Sequence, residues 1–215
     1  MIAAHTRGRG ERPGGLLASF PSLPYVLPFC VFLALLAAQP YLLPLLGPWE
    51  AILRAAILIA VLALVSRGVL DFRVRRIWGS LGLGVAVFAV WIAPDFLFGY
   101  RGHWLFTNPL LGGFHNSLPE QLRTDPLFLS IRAFRAAVLV PVVEELFWRA
   151  WLMRWLITPH FRSIPLGSWT HRAFWISAVL FAAEHGPFWE VGLAAGIAYN
   201  WWMIRTRSLG DCILA

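Results

Sequence analysis

The sequence predicts an all-α protein: a polytopic transmembrane helix bundle of about six spans plus the start of another. Three observations predict it. Of 215 residues, 59% are hydrophobic and only 13% are charged, with a mean hydropathy of +0.66. A soluble domain carries about 25% charged residues, and a chain this apolar needs lipid as its solvent. The apolar residues fall in long runs, and the arginines fall between them.

Taken in order, residues 1–20 are Gly- and Arg-rich and read as a flexible basic tail. The first run, Pro24 to Leu46, is too long for a signal-peptide core and reads as a span broken by Pro40 and Pro44. Ala51 to Ser66 and Gly79 to Phe98 give the second and third spans. Gly99 to Pro126 reads as a loop or interfacial segment, closing an N-terminal helical region over residues 21–126. Leu127 to Ile157 would be about 46 Å long as one helix, so Pro141 is expected to kink it or divide it in two. Ala173 to Glu184 and Phe188 to Ile204 give two further spans, separated at Gly186-Pro187. Ser208 to Ala215 resembles the first turns of another helix, and the sequence reads as truncated there. Residues 127–215 are expected to form one core.

The formal charge is +7, and all 18 basic residues are arginine. No RNA- or DNA-binding motif or aromatic-basic ribbon accompanies that charge, so no nucleic-acid partner is expected. The membrane lipid itself is the expected partner. Arg7, Arg9, Arg12, Arg67, Arg73, Arg75, Arg76, Arg154, Arg162, Arg172, Arg205 and Arg207 fall on one side if the spans alternate. The opposite loops hold Arg54, Arg101 and Arg123. The positive-inside rule then puts the N-terminus in the cytoplasm. Cys30 and Cys212 read as inert packing thiols, and no metal cluster is suggested.

The chemical signal is Pro141-Val-Val-Glu144-Glu145-Leu-Phe-Trp-Arg149. A carboxylate at bilayer depth costs at least ~2.5–3.5 kcal/mol, so each needs a reason to be there. Glu145 and Arg149 are four apart and can pair on one helix face. Glu144 points about 100° away from Glu145 and shares a face with Trp148. It is left free to act as a general base in a dry cavity. The second signal is Phe181-Ala-Ala-Glu184-His185. Phe181 can pack beneath the imidazole, and a glutamate with a histidine from the neighbouring helix could hold one water. Each feature also has a bland reading. The Glu–Arg pair can be a packing device, and His185 can be interfacial. Glu184 and Glu190 read as wetted, with Glu184 able to support His185. Asp95 reads as a cap, Arg132 and Arg135 as snorkelling side chains, and Trp201-Trp202 as an interface anchor. Gly192 and Gly196 form a GxxxG packing motif. No HExxH occurs, so a zinc-protease motif has no support.

These motifs resemble the CAAX prenyl endopeptidase and bacteriocin-processing (CPBP, or Abi) family of intramembrane proteases. The likeness rests on EExxxR at Glu144, Glu145 and Arg149, on FxxxH at Phe181 and His185, and on Arg205-Thr-Arg-Ser-Leu209 leading to Ile213-Leu-Ala215. It implies an intramembrane endopeptidase acting on a membrane-anchored or prenylated-type peptide, in the bacterial inner membrane. Glu144 would be the base and His185 would position the water, with Glu145, Arg149 and Phe181 supporting. Metal dependence is contested in the family, so the resemblance leaves the cofactor unspecified. The family's last histidine and asparagine, which supply the oxyanion hole, would fall beyond Ala215, so a chain ending there is expected to be inactive. The alternatives are a non-catalytic scaffold or immunity-type binding protein and, more weakly, a proton or ion transporter using the glutamates as a relay.

Overall fold

The computed structural model describes residues 20–108 and 122–215. The 1–20 tail, apart from Phe20, and part of the 99–126 segment lie outside the described residues. The chain is all-α, with seven α-helices and no β-strand among the described residues. They are α1 (Leu23–Leu46), α2 (Trp49–Ser66), α3 (Ile77–Phe98), α4 (Pro126–Trp155), α5 (His171–Glu184), α6 (Trp189–Thr206) and α7 (Leu209–Leu214). The first four are long and apolar enough to cross a membrane, and the protein is an integral membrane protein. Two expected spans, α5 and α6, fall outside that set. Helix α5 has 14 residues, about 21 Å, short of the ~30 Å hydrocarbon core. Helix α6 carries Glu190, Asn200 and Arg205 and packs closely on α5.

Prolines do not break these helices as the sequence suggested. Helix α1 runs continuously through Pro28, Pro40 and Pro44. An interior proline costs ~3 kcal/mol, but opening the helix in lipid would leave several backbone groups unsatisfied at several kcal/mol each. The continuous helix therefore wins. Pro28 cannot donate to the Pro24 carbonyl four residues earlier, and Ser66 Oγ at the end of α2 donates to that oxygen instead, at 2.6 Å. The proline defect in α1 thus becomes the joint between α1 and α2.

Pro141 likewise fails to divide α4, which is one helix of 30 residues. The ladder widens into a π-turn at Arg135–Leu139 just before the proline, and again at Leu146–Leu152. A π-turn makes room for a residue that cannot take its place in the i→i−4 ladder, and such bulges are frequent at functional sites. The Asp125 carboxylate accepts from Phe128 N–H at 3.0 Å and starts the helix.

The C-terminal elements lock onto α3. The Asp211 carboxylate of α7, fully buried, accepts from Arg75 N–H (3.1 Å), Arg76 N–H (2.8 Å) and Ser80 Oγ (3.1 Å). It therefore caps the N-terminus of a helix more than 130 residues earlier, where the macrodipole favours negative charge. Trp202 Nε1 donates to the same Ser80 hydroxyl at 3.1 Å. This corrects the reading of Trp201-Trp202 as a joint interface anchor: Trp201 is exposed, and Trp202 is buried. Gly192 and Gly196 face α5. A Cβ on Gly196 would lie 3.2 Å from the backbone of Ala178, so only glycine lets the two helices approach this closely.

Candidate active site

Three segments converge on the predicted residues. The middle of α4 supplies Glu144 and Glu145, the end of α5 supplies Phe181, Glu184 and His185, and α3 supplies Trp91. The ionised pair comes first. Glu145 Oε1 and Arg149 Nη1 are 3.0 Å apart, with both residues buried. The Arg149 guanidinium also lies 4.3 Å from the centre of the Phe181 ring and 5.3 Å from that of Tyr199. A charge removed from water is tolerable only when paired in this way. The pair and its aromatic cage therefore spend Glu145 on holding α4 against α5 and α6.

Glu144 has no such partner. It is half-buried, makes no hydrogen bond to a described residue, and lines a cavity of about 350 Å³ with Trp91, Pro141 and Tyr199. Ligand atoms of Glu144, Glu184 and His185 lie within 4.8 Å of one another. Two hydrogen bonds of ~2.8 Å span about 5.6 Å, so one water can reach both Glu144 and His185.

The imidazole is held on three sides. Its Nδ1 is 2.6 Å from the Phe181 carbonyl, its ring lies 4.6 Å from the Phe181 ring, and Trp91 packs edge-on at 5.2 Å. Nδ1 must be the protonated nitrogen to donate to a carbonyl, which leaves the Nε2 lone pair as an acceptor. His185 is also the C-cap of α5. The helix ends there, so two adjacent residues can turn to a common point. Gly186 (φ +52) then takes the chain into the turn toward α6.

Sequence reasoning had left Glu184 outside the core set. Its adjacency to His185 was visible, but regular helical geometry would have pointed it about 100° away. Trp91 and Tyr199 gave no signal, since nothing in sequence distinguishes a tryptophan or tyrosine lining a cavity from one facing lipid. The buried Trp148 indole N–H has the Glu184 carboxylate beside it. The donor set of Glu144, Glu184 and His185 also fits a divalent cation, because two carboxylate oxygens and one imidazole nitrogen converge.

Residues 126–215, from the first residue of α4, match the family described as type II CAAX prenyl endopeptidase, Rce1-like. The match covers less than half of the chain, and this segment is similar to that family. The likeness supports a CAAX-type protease at the level of the family. No curated protein and no solved structure matches the chain.

Proposed function

We propose that the protein is an intramembrane endopeptidase in which Glu144 activates a water and His185 orients it. The observation that carries this reading is the 4.8 Å cluster of Glu144 with a histidine whose Nδ1 is already engaged by the Phe181 carbonyl. A water between the two donates one hydrogen to the Glu144 carboxylate and the other to His185 Nε2. Its lone pair is then directed away from both acceptors, toward a peptide carbonyl entering the cavity. Glu144 takes the proton as the C–O bond forms and returns it to the amine as the C–N bond breaks. Glu145 and Arg149 hold α4 in place, and Phe181 sets the imidazole tautomer. A divalent cation on Glu144, Glu184 and His185 would supply Lewis-acid polarisation of water or carbonyl.

The substrate class that fits is a membrane-anchored or prenylated-type peptide cleaved near its C-terminus. Residues 127–215 form the catalytic unit, and residues 21–126 supply walls such as Trp91. The arginine distribution supports a cytoplasmic N-terminus in a bacterial inner membrane. The test is cleavage of a lipid-anchored peptide by the protein in liposomes, comparing wild type with Glu144→Gln. Equal rates would sink the assignment of the base.

A further inference from the structure

A second group of charges lies inside the helical region, on another face of α4 from the glutamates. Glu50 and Arg54 form an ion pair within α2, and both are buried, with 0% and 3% of their surfaces exposed. This corrects the placement of Arg54 in a loop. Arg54 Nη1 also donates to Gln39 Oε1 of α1 at 3.3 Å. Arg132 and Arg135 of α4 line the same space. A cavity of about 180 Å³ is lined by Arg54, Arg132 and Arg135 together with Phe32, Leu36 and Leu58. Ala136 and Val140 face this cavity, whereas Ala137 and Pro141, each one residue further along, face the catalytic one.

The charges do not balance. Three guanidinium groups within electrostatic reach of one another meet one carboxylate, Glu50, which Arg54 already engages. Arg135 Nη1 is enclosed and has no hydrogen-bond partner among the described residues. An unpaired buried donor costs ~1–3 kcal/mol, more when charged, and intramembrane charge is retained where it has a ligand.

Depth and lining identify the ligand. Gln39 lies seven residues before the end of α1, Arg54 five after the start of α2, and Arg132 six after the start of α4. Each is therefore about 8–10 Å from a helix end at 1.5 Å per residue, within reach of the phosphate layer. The Leu36 wall is 48% exposed, and α1 is otherwise apolar around Gln39, so the polar pocket opens beside an acyl-chain environment.

We propose that Arg54, Arg132 and Arg135 form a site for the phosphate of an anionic phospholipid, the acyl chains lying along the apolar wall. Guanidinium groups bind phosphate oxygens by forked, charge-assisted hydrogen bonds. A bound phosphate would supply the counter-charge that this part of α4 lacks and would brace α4 against α1 and α2.

The test uses the whole protein in phosphatidylcholine nanodiscs, with phosphatidylglycerol titrated in. Retained lipid is read by native mass spectrometry, and stability by thermal melting. Wild type should retain phosphatidylglycerol and melt at a higher temperature as it is added. Arg132→Gln/Arg135→Gln should bind it at least ten-fold more weakly, about 1.4 kcal/mol. Arg73→Gln, whose side chain is 88% exposed, should behave as wild type. If the double variant does not fold, Arg132→Gln alone should still weaken binding. Wild-type affinity in the folded arginine variants overturns the site. Equal stabilisation by inorganic phosphate in pure phosphatidylcholine overturns the lipid as its source.

Discussion

Two adjacent glutamates of α4 meet different environments, and that difference is what individual substitutions can read. Glu144 is unpaired among the described residues and lies beside His185, so Glu144→Gln should lower cleavage by ~10²–10⁴-fold, the usual contribution of a general base. Its melting temperature should stay near that of wild type, because no described hydrogen bond is lost. Arg149 behaves in the opposite way. Arg149→Ala strands the buried Glu145 carboxylate and should cost ~3–5 kcal/mol, read as a large fall in melting temperature in detergent. Adding Glu145→Gln to that variant should recover part of the loss, since an amide is cheaper to bury than an unpaired charge. A pair that held no structural role would show neither the loss nor the recovery.

Among the helices, the joint between α5 and α6 controls the imidazole. Gly196 sits against Ala178 and Phe181, and a Cβ there would lie 3.2 Å from backbone that cannot rotate away. Gly196→Val should destabilise by ~1–3 kcal/mol through overpacking. It should also slow cleavage more than its fall in stability explains, because Phe181 carries the carbonyl that holds His185. Comparing rate and melting temperature across Gly196→Ala and Gly196→Val separates the two effects. The EExxxR and FxxxH spacings were legible in sequence because they follow the helical repeat, four residues returning to one face. The continuity of α1 and α4 through their prolines was not. The rule that proline ends a helix assumes water is ready to receive the freed carbonyls, whereas here Ser66 and two π-turns absorb the defects.

Across the whole molecule, the C-terminal elements are fastened to the N-terminal half through Asp211. Asp211→Ala removes the acceptor for Arg75 N–H, Arg76 N–H and the Ser80 hydroxyl, bonds to a charged group worth ~1.5–3 kcal/mol each. It should therefore release α7 from α3. Trypsin should then cut faster at Arg75 and Arg76, and an unchanged digestion pattern would refute the fastening. The positive-inside distribution predicts that a reporter fused before residue 20 reports a cytoplasmic location. Arg54 shows why a one-dimensional count falls short at this scale. It reads as a loop charge from its place near a run boundary, yet it is buried within α2 because Glu50 one turn away neutralises it.

The sequence by itself determined the all-α membrane class and the Glu145–Arg149 pairing, because each depends on hydropathy or on the 3.6-residue repeat. It put the spans at about six, whereas four helices among the described residues are long and apolar enough to cross a membrane. It also placed Glu144 and His185 as the candidates for chemistry. Only the tertiary structure decided that Glu184 joins them, that Trp91 covers the imidazole, and that Asp211 caps α3. It also gathered Arg54, Arg132 and Arg135 around one cavity. These residues are brought together by packing between helices distant in sequence, or by a helix end that departs from the regular repeat. Neither leaves a periodic trace along the chain.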